Sequence, residues 1–136
     1  MRIEELSAGD WVRDGSTPYK VTWIEKGAVG LRRDVDTSMT LTALPIYFIQ
    51  PIPITAEILE KNGWLPPRAE IDRDTWWWTN KVDTAIEASE YQGEWQLTII
   101  EQREIQYNYR LGLGLKNVHQ LQHALRLAGV EKEIEI

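Results

Sequence analysis

Cysteine is absent from the 136 residues, which rules out a disulfide framework and a thiolate metal site. That fits a reducing cytoplasm. Long apolar runs are absent too: none approaches the ~18–20 residues that span a bilayer. The opening "MRIEELSAGDW" has no apolar stretch of the secretory-signal kind, so no such signal is expected. Positive charge is in short supply. The net charge is −6, with 6 basic and 7 acidic side chains in residues 1–50 and 9 and 14 in residues 51–136. A polyanion-binding protein normally shows a basic surface, so nucleic-acid polymers are disfavoured. Four serines without a nucleophile-elbow motif make a nucleophilic triad improbable. Phenylalanine occurs once, whereas tryptophan occurs seven times. Hydrophobic residues make up 43% and charged residues 26%, a globular composition that supports a folded core.

The first fifty residues read as short strands. Turn signals stand at Asp14-Gly15 and Lys26-Gly27. Between them Tyr19, Val21 and Trp23 alternate with Lys20 and Thr22, the period of a half-buried strand. Met39, Leu41 and Ala43 alternate again, and Pro51 and Pro53 confine "IYFIQPIPI" to an edge or an end. The "GDWV…YKVTWI" opening resembles SH3-like barrels. Thr55 is the expected N-cap of a helix over "TAEILEKNGW", with Gly63 as the stop that folds Trp64 back on Leu59. "LPPRAEIDRD" reads as a connection. Strands are predicted over 75–79, 84–91, 94–101 and 105–111, with a hairpin turn at Gln92-Gly93. A last helix is predicted from Asn117, which forms a variant capping box with Gln120, to Gly129, with Val118, Leu121, Leu125 and Ala128 as its apolar stripe. The final "EIEI" alternates like an edge strand.

Two motifs point to ligand chemistry. The first is Trp76-Trp77-Trp78: in a strand, Trp76 and Trp78 point to one face and Trp77 to the other. Each indole buries ~150–250 Å² when enclosed. Two of them as core filling, with the third covering a layer interface, is the plainer reading. An exposed stacking platform for a base, a sugar or a partner's side chain is the functional one. The second is "RLGLGLKN": Gly112 and Gly114 let backbone N–H groups approach a ligand, the following helix start is electropositive, and Arg110 and Lys116 add charge. A glycine-relieved bulge is its plainer reading. Tyr109 and His119 complete the candidate ligand set. His119 and His123 share a helix face, but no third ligand is apparent and no metal or cofactor is expected. Asp34/Asp36 and Asp72/Asp74 read as solvated loop charge.

"PIPITAEILEKNGW" and "KNVHQLQHALRLAGVEKEIEI" give the chain a family likeness. Together with Leu6, Gly9 and Val12, they resemble a group of small uncharacterised proteins of Bacteroidales genomes and their phages. The chain departs from that pattern at Trp64, where phenylalanine is expected, and in its tryptophan-rich centre. The resemblance carries no activity and implies a bacterial or phage cytoplasmic setting.

The expectation is an α+β protein: an SH3-like N-terminal β-barrel over 1–54, a connecting helix and turn over 55–66, and over 67–136 an antiparallel sheet with one covering helix. By elimination it is a non-enzymatic binding protein for a small nucleotide-like or phosphorylated ligand. Phage proteins that sequester host immune nucleotides do such a job, but no motif links this chain to them. The alternatives are a protein–protein module that inhibits or adapts a host protein, and a carboxylate-based hydrolase. Strand alternation puts the three tryptophans on two faces, and a sheet covered by one helix has only one fully dry face, so at least one of them should be substantially exposed in the monomer; a homodimer is expected to cover it.

Overall fold

The structure is a computed structural model that describes residues 1–33, 42–68, 74–102 and 106–136; for 42, 102 and 106–113 it describes the backbone alone. It is a mixed α+β protein, mostly strands in two antiparallel sheets. The chain divides into two compact units: residues 1–53 with Asn117–His119 and Ile136, and Ile54–Lys116 with Gln120–Glu135.

The first unit holds β1 (Trp11–Asp14), β2 (Thr17–Glu25), β3 (Ala28–Arg32), β4 (Thr42–Pro45) and β5 (Gln50–Pro51), in the order β4-β3-β2-β1-β5. No closure between β4 and β5 is found among the described residues. Gly15 and Gly27, both at positive φ, make the two-residue turns of the first two hairpins. Before β1, Asp10 is buried and its carboxylate accepts the Ser7 N–H at 2.7 Å. The core comprises Leu6, Val12, Val21, Val29, Leu31 and Ile49, with Tyr19, Ile24 and Leu44 packed on it.

Two sequence expectations shift here. The β2–β3 register slips between Val21 and Trp23, so Ile24 faces the core and Trp23 stands opposite Gly30. The predicted alternation through Trp23 is thus broken by a bulge at Thr22. In β4, Leu44 packs on the core and Ala43 is exposed, the reverse of the expected phase. Met39, Leu41, Asp34, Asp36, Asp72 and Ile105 lie outside the described residues.

The second unit holds α1 (Ala56–Lys61), β6 (Thr75–Thr79), β7 (Thr84–Tyr91), β8 (Glu94–Gln102), β9 (Gln106–Leu115) and most of α2 (Val118–Leu127). Its sheet runs β6-β7-β8-β9. Ile86, Ala88, Trp95, Leu97 and Ile99 are buried at every second position, the signature of one dry face. α1 starts as predicted, with Thr55 Oγ1 accepting from the Ile58 N–H. Both helices end in the same cap. Trp64 N–H bonds to Leu59 O and Gly63 N–H to Glu60 O; Val130 N–H bonds to Leu125 O and Gly129 N–H to Arg126 O. The stripe of α2 buries Val118, Leu121 and Leu125 as expected, with Ala124 in place of Ala128, which lies past the helix end and is half-buried. Gln120 does reach back, but one residue earlier than a capping box requires: its Oε1 accepts the Lys116 N–H at 2.8 Å. The predicted edge strand at "EIEI" is not formed; residues 130–136 have no regular structure.

Candidate functional site

β6 is an edge strand, and its sequence is threonine, three tryptophans, threonine. The β6–β9 register sets each tryptophan at the end of a row across the sheet. Trp76 aligns with Ala88, Leu97 and Gly112; Trp77 with Glu87, Thr98 and Arg110; Trp78 with Ile86, Ile99 and Tyr109. Trp76 and Trp78 therefore share the face of the buried Ala88, Ile86, Leu97 and Ile99. Trp77 lies on the other face, beside half-buried Glu87 and Thr98. All three indoles are half-buried. The expectation of a substantially exposed tryptophan is not met, nor are the three sealed as core.

Partial cover comes from the segment after α1. Leu65 and Trp77 exchange both backbone bonds, Leu65 N–H to Trp77 O at 2.7 Å and Trp77 N–H to Leu65 O at 3.1 Å. The next two residues, Pro66 and Pro67, cannot donate to a ladder. Pairing therefore stops after one bridge, and the segment leaves the edge. What remains is a cavity of about 370 Å³ lined by Leu65, Pro66, Arg68, Trp77, Trp78, Thr79 and Ala85. Arg68 is exposed, and it is the one charged lining group among the described residues. Beyond Thr79 the chain enters the β6–β7 turn. There Asn80 Oδ1 accepts the N–H groups of Val82, Asp83 and Thr84 at 2.9, 3.1 and 3.0 Å. The Thr79 hydroxyl is already engaged: it donates to Thr84 O and accepts from the Lys81 N–H. Among the described residues the lining thus combines Trp77 and Trp78, aliphatic side chains and one guanidinium. It is suited to a planar group bearing negative charge.

Of the other predicted site residues, Trp76, Gly114 and Lys116 do not line this cavity. β9 runs through both glycines as strand, with register shifts at Leu97 and Thr98, so the bulge reading describes the backbone here. Gly114 has φ +67°, and Lys116 Nζ lies 3.5 Å from Glu94 Oε1. Val118 N–H, at the start of α2, is given to Ile52 O. His119 is 2% exposed. Tyr109, Arg110 and Gly112 are placed by backbone register alone. β6 and β9 are opposite edges of a four-stranded sheet, about 14 Å apart at ~4.8 Å per strand. Tryptophan stacking and the Gly112–Lys116 stretch therefore do not form one site. Among the described residues no group of three or more metal-ligating side chains occurs, and no helix is long and apolar enough to cross a membrane.

Leu65, Pro66, Arg68, Thr79 and Ala85 were not singled out from the sequence, because "LPPR" reads as a linker. The available signal was two prolines and an arginine near a tryptophan run: extended, donor-poor backbone suits an aromatic surface. Compared with known proteins, the chain matches no family model, no curated protein and no solved structure.

Proposed function

We propose that this chain is a non-enzymatic binding protein of a phage or mobile element. Its site is the cavity between the Leu65–Arg68 segment and the Trp77–Trp78 stretch of β6. The ligand class is a small planar anion: a nucleobase-containing or phosphorylated molecule that lies against indole and puts its charge near Arg68. The observation that carries this reading is a cavity of about 370 Å³ whose described lining combines Trp77 and Trp78 with the guanidinium of Arg68, a volume in the range of small-molecule sites. Arg68, rather than Lys116, supplies the positive charge. The phage and cytoplasmic setting rests on the sequence resemblance. We read the first unit as an SH3-like barrel left open between β4 and β5. Its strand order, and the 3-10 turn at Ile46–Phe48 joining those two strands, support that reading.

The test is tryptophan fluorescence titrated with a panel of mononucleotides, cyclic nucleotides and aromatic carboxylates. At least one should quench saturably, and both Trp77→Ala and Arg68→Gln should weaken it tenfold or more while circular dichroism stays unchanged. No saturable ligand in the panel, or equal binding by both variants, rejects the reading.

A further inference from the structure

Building on the small-ligand reading, we propose that a second cavity on Trp78 is the subsite for the ligand's base, and that Glu131 and Lys132 make it select guanine. Trp78 lines both the Leu65–Arg68 cavity and this one, of about 190 Å³. Whole small-molecule sites run to ~300–1,000 Å³, so a cavity of this size takes one part of a ligand. The rest of its lining is Asn80, Thr84, residues 128–130 after α2, Glu131 and Lys132.

Two of these polar side chains are committed to the β6–β7 turn. Asn80 Oδ1 takes three N–H groups there, and its amide donates to Asp83 Oδ1 at 2.9 Å. The Thr84 hydroxyl donates to the same carboxylate at 3.1 Å. The chemistry left in the lining is a carboxylate and an ammonium on adjacent residues. Glu131 is exposed. Lys132 is half-buried, donates to Asn62 O and stands 5.9 Å from the Trp78 ring centre. An ammonium has three donors, so that bond does not exhaust it. The segment that carries both residues is held on its far side. Ile134 is 1% exposed, and the Asn62 amide donates to Glu135 O and accepts the Glu135 N–H, both at 2.7 Å. The same amide nitrogen donates to Ile58 O at 2.8 Å, which ties the segment to the end of α1. Glu131 and Lys132 are thus placed before a ligand arrives, which lowers the ordering cost of binding.

A planar group against Trp78 meets an acceptor and a donor here. Among the common nucleobases, guanine alone presents two adjacent N–H groups on one edge, N1–H and N2–H, with the acceptor O6 beside them. A carboxylate accepts such a pair with its two oxygens, and an ammonium donates to O6. Adenine and cytosine set a ring-nitrogen lone pair beside their amino group. Uracil offers one N–H between two carbonyls. Each of these turns a lone pair toward the carboxylate, and a site built to hydrogen-bond one edge rejects an edge that leaves its groups unpaired. The phosphate is left to Arg68 in the first cavity.

Tryptophan fluorescence of the full chain, titrated with the 5′-monophosphates of guanosine, inosine, adenosine, cytidine and uridine, tests the subsite. The guanosine nucleotide should bind at least tenfold tighter than those of adenosine, cytidine and uridine. The inosine nucleotide lacks the 2-amino group and should fall between. Glu131→Gln should bring guanosine to within twofold of adenosine, with an unchanged circular dichroism spectrum. Arg68→Gln should weaken all five and keep their order. Saturable binding without a guanine preference, or a preference that survives in Glu131→Gln, overturns the guanine subsite and leaves the small-ligand reading standing. Binding of an aromatic carboxylate but of none of the five nucleotides does the same. No saturable ligand of either kind rejects both.

Discussion

Gly30 has no room for a side chain: a Cβ there would stand 2.2 Å from Nε1 of Trp23. The cause is the bulge at Thr22, which turns Trp23 away from the core and lays its ring over the glycine. Gly30→Ala should therefore destabilise by about 1–3 kcal/mol, the usual range for overpacking. Removing the ring makes room, so the alanine should cost little in a Trp23→Ala background. A denaturant-unfolding double-mutant cycle measures the coupling; additive effects would refute the steric account. Nothing in "YKVTWIEKGAVG" announces this pair, because the alternation through Tyr19, Val21 and Trp23 is regular and a bulge is a pairing event. Asn62 was hidden for a related reason. It reads as part of a helix stop, and its partner Glu135 is 73 positions away.

At the scale of elements, local chemistry was legible and pairing less so. Thr55, Gly63 and Gly129 act within a few residues of themselves, so their caps could be read directly. The α2 stripe follows the same logic. Leu125 is 2% exposed, so Leu125→Ala should cost about 2–5 kcal/mol; a shift below ~1 kcal/mol in chemical denaturation would show a stripe that is not core. "EIEI" alternates like a strand, but its backbone is held by the Asn62 side chain, which pattern alone does not reveal. This segment also carries a pH signature. Burial lowers the Lys132 pKa below 10.5, and Glu135 opposes that by favouring the charged form. In the window between the lowered value and 10.5, the native state binds fewer protons than the unfolded state, so stability rises with pH there. Below the window both states are charged, and the desolvation cost is borne in full. Thermal melts from neutral pH to pH 10.5 should show wild type gaining on Lys132→Met; parallel curves would mean that Lys132 is not desolvated.

Across the whole molecule, topology decides which residues can act together. The sequence offered aromatic and glycine-rich motifs as one site, and both are real features of the chain. The order β6-β7-β8-β9 sends them to opposite edges, and strand order is set by long-range pairing that no single segment encodes. Lys116 is moreover an exposed partner of Glu94. Lys116→Gln should therefore leave nucleotide affinity within twofold, in contrast to Arg68→Gln; a tenfold loss would restore the original grouping. Charge carries the argument to polymers. The chain has a net charge of −6, and one arginine is the charged lining of the cavity among the described residues. Polymer affinity grows with the number of phosphates neutralised, each adding about 0.9 to the salt slope on duplex DNA and about 0.7 on single strands. A site with one cation gains nothing from further phosphates, while the chain's net negative charge repels them. A twenty-residue oligonucleotide should then bind no more tightly than its mononucleotide, with a salt slope no larger than that of one contact. Fluorescence titration at two salt concentrations measures both, and a steep slope with tighter polymer binding would replace the small-ligand site by a nucleic-acid surface.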